Sequence, residues 1–127
     1  MTAPISVKGV LLIDRRVLLL KNSRDEWELP GGRAEPGENH AETLSREFAE
    51  ELSLDVRVSA PIDSYLFEVI SGHHVFIITY GCMLIGKFKP RVSDEHTEHC
   101  LWSVERLSEL SLPVGYRRSI QRWLANR

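Results

Sequence analysis

Gly31-Gly32-Arg33-Ala34-Glu35-Pro36-Gly37-Glu38 leads, across seven intervening residues, into Arg46-Glu47-Phe48-Ala49-Glu50-Glu51. The second stretch belongs to a helical pattern. From about residue 39 to 52, Ala41, Leu44, Phe48 and Leu52 recur at spacings of three and four and make one apolar stripe. Each helical residue advances by about 100°, so Glu47, Glu50 and Glu51 fall within a sector of roughly 100° that flanks the stripe without entering it. Three carboxylates at i, i+3 and i+4 repel one another, at about 0.2–0.5 kcal/mol per like-charged pair even when exposed. On a partly desolvated surface the cost is larger unless a cation sits among them.

A hard dication meets that need. Magnesium prefers oxygen ligands and commonly shares one or two carboxylates with substrate phosphates. It neutralises a diphosphate, polarises a P–O bond and acidifies a bound water, while a carboxylate at the edge of the cluster can take the water's proton. The Pro30-Gly31-Gly32 turn ahead of the helix allows close backbone approach, which suits a metal-bridged phosphate. The same residues also have a plainer reading, in which Arg46 bridges Glu42 and Glu50 in a solvated ion-pair row and Pro30-Gly31-Gly32 is only a turn.

Outward from the helix, residues 7–13 and 17–21 are apolar runs around Asp14-Arg15-Arg16 and read as a β-hairpin. Residues 26–29 form a short strand ended by Pro30-Gly31-Gly32. Residues 56–58 read as a short strand, and residues 62–70 and 75–85 as a hairpin broken at Ser71-Gly72-His73. Residues 87–96 are polar and read as a loop around Pro90. Residues 99–102 make a last short strand, followed by a helical turn over 104–110. Pro113 starts a final helix with Tyr116, Ile120, Trp123 and Leu124 on one face. The sum is a mixed sheet with a central and a C-terminal helix packed on it, an α/β or α+β layer sandwich.

Length and composition agree with one domain over residues 1–127. Hydrophobic residues make up 43% and charged residues 27%, which argues against disorder. A net charge of −2 excludes a bulk electrostatic nucleic-acid coat, so any phosphate is met locally. Cys82 and Cys100 form no CxxC pair and read as reduced and buried. The N-terminal residues lack a basic segment followed by an apolar stretch, and no apolar run approaches the roughly 18–20 residues that span a bilayer. The expectation is a cytoplasmic protein with no membrane association.

Taken together, these residues resemble the Nudix hydrolase family, MutT-like. Its signature is Gly, five residues, Glu, seven residues, Arg-Glu, an apolar residue, any residue, Glu-Glu, any residue, Gly, apolar. Gly32, Glu38, Arg46-Glu47-Phe48, Glu50-Glu51 and Leu54 stand at those spacings across 23 residues, with Ser53 in place of the family's Gly. The flanking Trp27-Glu28-Leu29-Pro30-Gly31 also looks like the family. The resemblance implies an α/β/α Nudix sandwich and metal-dependent hydrolysis of a diphosphate bond in a nucleoside diphosphate linked to another moiety. It implies that Glu47, Glu50 and Glu51 ligate magnesium or manganese, with the carbonyl of Gly31 or Gly32 as a further ligand. Gly32, Glu38 and Arg46 would be supporting residues. Ser53 would take the left-handed position at the helix C-terminus, at a cost of roughly 1 kcal/mol. Family members often draw a further catalytic glutamate from a later loop, which points to Glu98, ahead of Glu95. They are often dimers.

Substrate identity is less legible. An aromatic face for a base can come from Trp27, Tyr65, Phe67, His73, His74 or Tyr116. Trp27, just before the glycine turn, and Glu95 are the substrate-binding candidates, against a packing role for Trp27 and a solvated loop position for Glu95. Trp102 and Trp123 read as packing residues, and Arg117 and Arg118 as a solvated pair. His96 and His99 lack the partners for a tetrahedral zinc site. The short chain favours a small nucleotide-type substrate over a nucleic-acid polymer. Two other classes stay open: a catalytically silent nucleotide-binding module on the same fold, and a partner-binding domain whose acidic helix is mere surface.

Overall fold

The computed structural model describes residues 3–91 and 98–126. Strand β1 (Ile5–Ile13) turns through Asp14-Arg15 into β2 (Arg16–Lys21), with Leu12 opposite Val17 and Asp14 in a left-handed conformation at φ 56°. Two-residue hairpin turns need such a residue, and Asp tolerates it better than most. Two-residue strands β3 (Trp27–Glu28) and β4 (Gly31–Gly32) pair with β2 and β1 respectively. Helix α1 (His40–Leu52) follows. The hairpin of β5 (Asp55–Ile70) and β6 (His73–Ile85), then β7 (Glu98–Ser103), a 3₁₀ helix (Val104–Glu109) and α2 (Val114–Asn126) complete the order. The sheet runs β3-β2-β1-β6-β5, with β4 also on β1 and β7 also on β2. β1 and β6 are parallel, and the other pairs are antiparallel.

The unbroken apolar runs of β1 and β2 follow from burial on both faces. Val7, Leu11, Leu18 and Leu20 pack under α1 against Leu44, Phe48 and Leu52. Val10, Leu12, Val17 and Leu19 face the other way, toward Leu107, Tyr116, Ile120 and Trp123 of the 3₁₀ helix and α2. The result is an α/β/α sandwich, one of the layer arrangements that the sequence pattern allows and the one that the resemblance implies. No helix among the described residues is long and apolar enough to cross a membrane.

Several expectations shift in detail. Residues 56–58 and 62–70 belong to one strand, β5, which bends through register shifts near Pro61. Ala41 is exposed and Thr43 takes the buried place, so the helix stripe is Thr43, Leu44, Phe48 and Leu52. Glu51 enters the buried face at 4% exposure, where periodicity alone kept all three acids on the flank. Cys82 and Cys100 are free, but only Cys82 is fully buried.

Candidate active site

Helix α1 is fixed at both ends by local chemistry. Asn39 caps its start, accepting from the Glu42 N–H at 2.8 Å, while the Glu42 carboxylate accepts from the Asn39 N–H at 2.9 Å. Ser53 ends it at φ 56°, the left-handed conformation that its place in the motif requires, and its N–H donates to the Ala49 carbonyl at 3.0 Å. Between these caps, one arginine organises the acidic face. Arg46 donates through Nε and Nη2 to the two oxygens of Glu38, at 2.6 and 3.0 Å. Its Nη1 reaches Glu47 at 2.9 Å and Glu50 at 3.2 Å, and its Nη2 reaches the Arg33 carbonyl at 3.1 Å.

The solvated row of Arg46 with Glu42 is therefore replaced by a clamp, with Glu42 spent in the cap. Bidentate pairing of this kind is shorter and stronger than a neutral hydrogen bond. The Arg46 pairing, helped by the Glu35 N–H, holds the Glu38 carboxyl down at about 2 and keeps Arg46 more firmly protonated. The clamp ties the glycine-rich loop to the helix and orients Glu47.

Glu51 is in the opposite situation. Burial first, then contact with Glu47 and repulsion from Glu47 and Glu28, push its carboxyl up to about 9, with Lys8 pulling the other way. Its Oε2 is buried and has no hydrogen-bond partner. Gly32 roofs the neighbouring acid: a Cβ there would sit 2.6 Å from Glu47 Oε1. Gly31 adopts φ 147° against β1, where a Cβ would collide with the Val7 carbonyl oxygen. The glycine pair thus lets the backbone come down onto Glu47 and β1, where any larger residue would hold it away.

Two carboxylates in contact, one of them buried with an orphaned oxygen, form a place that would be relieved by a cation. The donor set is all oxygen, which suits magnesium or manganese. Glu50 is 59% exposed and turned toward Arg46, so it must swing to join them. In keeping with this, no three acidic, imidazole or thiol groups among the described residues converge as a ready ligand set.

The other candidates fall in different places. A cavity of about 530 Å³ borders the acid site, lined among others by Lys8, Arg24, Trp27, Arg33, Phe67 and Tyr116. Trp27 is thus both a cavity wall and a core-rim residue, with the Lys21 ammonium 4.9 Å from its ring. Tyr65 is elsewhere, packed on Gly115 under Arg118, and His73 and His74 lie by the tip of the β5–β6 hairpin. Glu98 opens β7 and sits 4.0 Å from Lys21, with no hydrogen bond or ion pair to the helix acids among the described residues. Glu95 and His96 lie outside the described residues.

Arg117 and Arg118 are not a solvated pair. Arg117 donates to the Leu112 carbonyl at 3.0 Å, and Arg118 binds Asp63 at 2.6 Å. A larger groove, about 1010 Å³, lies between Leu12, Pro61, Met83 and Trp123 and contains none of the helix glutamates. The residue that sequence reasoning missed is Lys8, hidden inside an apolar run; a cation at a position patterned for Val or Ile was the available signal.

The family model described as NUDIX domain matches residues 3–123. Among curated proteins, a putative 8-oxo-dGTP diphosphatase 2 of Mycobacterium tuberculosis is 31% identical over 111 residues, covering 84% of this chain and 77% of its own. The mitochondrial ADP-ribose pyrophosphatase of Rattus norvegicus is 34% identical over 80 residues, but those are 60% of this chain and only 22% of the rat protein. In three dimensions the chain is similar to a MutT protein from Methanosarcina mazei Go1, with a TM-score of 0.81 and 25% identity over 99% of this chain and 97% of that one. A Clostridium perfringens hydrolase of the NUDIX family superposes with a TM-score of 0.84 at 17% identity, over the full length of both chains.

Proposed function

The chain belongs to the Nudix hydrolase family, and on that premise we propose that it hydrolyses the diphosphate bond of a small nucleoside diphosphate derivative. The observation that carries this reading is the orphaned, buried oxygen of Glu51 beside Glu47, under the glycine turn. Glu47, Glu50 and Glu51, with the carbonyl of Gly31, would hold magnesium or manganese, whose chemistry when bound is to neutralise the diphosphate and acidify water.

The chain's own residues do the rest. Arg46 keeps Glu47 aimed and ties Glu38 to the loop, so that the turn and the helix move as one piece. Glu51 must release its proton before it can act as a ligand. Trp27, Phe67 and Tyr116 wall the cavity that takes the nucleoside. The proton of the attacking water passes to a carboxylate, for which Glu98 is the first candidate, with Glu47, Glu51 and Glu95, the last outside the described residues, as the others.

The substrate is to be sought among nucleoside triphosphates, oxidised nucleotides, nucleotide sugars, ADP-ribose and dinucleoside polyphosphates. Two of these classes are named for relatives: 8-oxo-dGTP and ADP-ribose. A panel of them, assayed with magnesium and with manganese and read by product mass, tests the proposal. Glu51→Gln should cut turnover by orders of magnitude in a folded protein. A panel with no turnover, alongside nucleotide binding by calorimetry, would favour the silent binding module instead, a reading that the presence of Glu47, Glu50 and Glu51 counts against. Beyond the reaction, a cytoplasmic location and a homodimer, a state frequent in the family, are proposed and checked by fractionation and by light scattering.

A further inference from the structure

Positions 7–12 of β1 are all buried, and one of them is Lys8, at 8% exposure. A strand covered on both faces ordinarily carries an unbroken apolar run. Burying an ammonium costs several kcal/mol unless something answers its charge. Yet among the described residues, Lys8 takes part in none of the ion pairs that tie down the chain's other buried or clamped charges.

Strand alternation puts Lys8 on the side of Val10 and Leu12, away from α1. There it lines the cavity that holds Trp27, Phe67 and Tyr116. Its stem lies along the glycine turn: Lys8 is the cross-strand partner of Gly31, and a Cβ on Gly31 would stand 3.0 Å from its Cδ. Its charge also reaches Glu51. One buried cation therefore lines the aromatic cavity beside the glycine turn, close enough for its charge to be felt at Glu51. The acids on the cavity wall already have partners: Glu26 holds Arg24 at 2.8 Å, and Glu28 accepts from Asn22 at 3.2 Å.

We propose that Lys8 binds a phosphate of the substrate where the nucleotide passes from the aromatic cavity to the helix carboxylates, and so sets which phosphorus meets the attacking water. A compact ammonium suits a phosphate contact that is independent of the base. The role rests on the reading of the site as a diphosphate hydrolase. It adds to that reading a residue outside the Gly32–Leu54 motif.

The test uses Lys8→Met and Lys8→Arg in the full chain, with inorganic pyrophosphate titrated by calorimetry in EDTA and manganese affinity read by electron paramagnetic resonance. Lys8→Met should weaken pyrophosphate binding at least about tenfold, and Lys8→Arg should recover most of it. On the best substrate of the panel, Lys8→Met should raise KM more than it lowers kcat. Should Lys8→Met fail to fold, Lys8→Gln takes its place. Wild-type protein that does not bind pyrophosphate overturns the assignment. So does a folded Lys8→Met whose pyrophosphate affinity and KM are unchanged while its melting point moves, the result expected of a purely structural lysine. If no panel member is hydrolysed but pyrophosphate still binds through Lys8, the hydrolase reading fails and the phosphate site stands.

Discussion

Replacing Glu51 by Gln should stabilise the metal-free protein at high pH while abolishing its activity. Glu51 is 4% exposed, and its carboxyl is pushed from 4.5 to about 9, chiefly by burial. Between those values the native state holds a proton that the unfolded chain has released, so stability falls as pH rises. The contribution is whole below about 4.5 and gone above about 9. At pH 8 the retained proton costs at most about 5 kcal/mol, and about half of that once side-chain relaxation and water entry are allowed for. The amide of Gln has no proton to hold, and its N–H can donate to Glu47. Glu51→Gln should therefore gain about 2–3 kcal/mol at pH 8, or roughly 6–12 °C in Tm, and under about 1 kcal/mol at pH 5. Urea unfolding of both proteins in EDTA, from pH 5 to pH 8, measures the difference directly. Stability profiles that stay parallel across that range would refute the reasoning.

Further outcomes follow from the same contacts. Gly32→Ala places a methyl 2.6 Å from Glu47 Oε1, so the carboxylate must turn away; manganese affinity and kcat should fall about tenfold or more, with Tm changed by only a few degrees. Arg46→Gln frees Glu38, Glu47 and Glu50 at once. Carboxylate NMR should then show Glu38 titrating well above its present value of about 2, and kcat should drop by roughly 10²-fold. Ser53→Gly relieves a left-handed residue at φ 56° and should add about 0.5–1 kcal/mol of stability, read by urea unfolding, with kcat unchanged.

Most of the architecture was legible because its causes are local and periodic. The double burial of β1 and β2 appears as unbroken apolar runs, and the helix as an apolar stripe from about residue 39 to Ser53. What escaped depended on contacts between distant parts of the chain. The burial of Glu51 comes from the sheet beneath α1, not from the helix's own period. Gly31 and Gly32 read as a turn, yet they are also a two-residue strand on β1, a pairing that no single-strand pattern announces. Residues 56–58 and 62–70 read as separate strands but belong to one, because β6 continues alongside the bend at Pro61. The motif located Glu38, Arg46, Glu47, Glu50 and Glu51 by spacing. It could not show that Arg46 claims Glu38 in place of Glu42, since that choice depends on how the loop folds back. Trp27 was legible as a candidate because it adjoins the turn, whereas Lys8 lies in a segment whose periodicity drew attention to packing alone.

Anomalous diffraction from crystals soaked in manganese is the most direct test of the account. It predicts a peak bounded by Glu47 and Glu51, within ligand distance of the Gly31 carbonyl, with Glu50 swung in from Arg46 and the Glu51 oxygen no longer alone. No peak at millimolar manganese, with Glu51 still buried between α1 and the sheet and Glu50 still on Arg46, would contradict it.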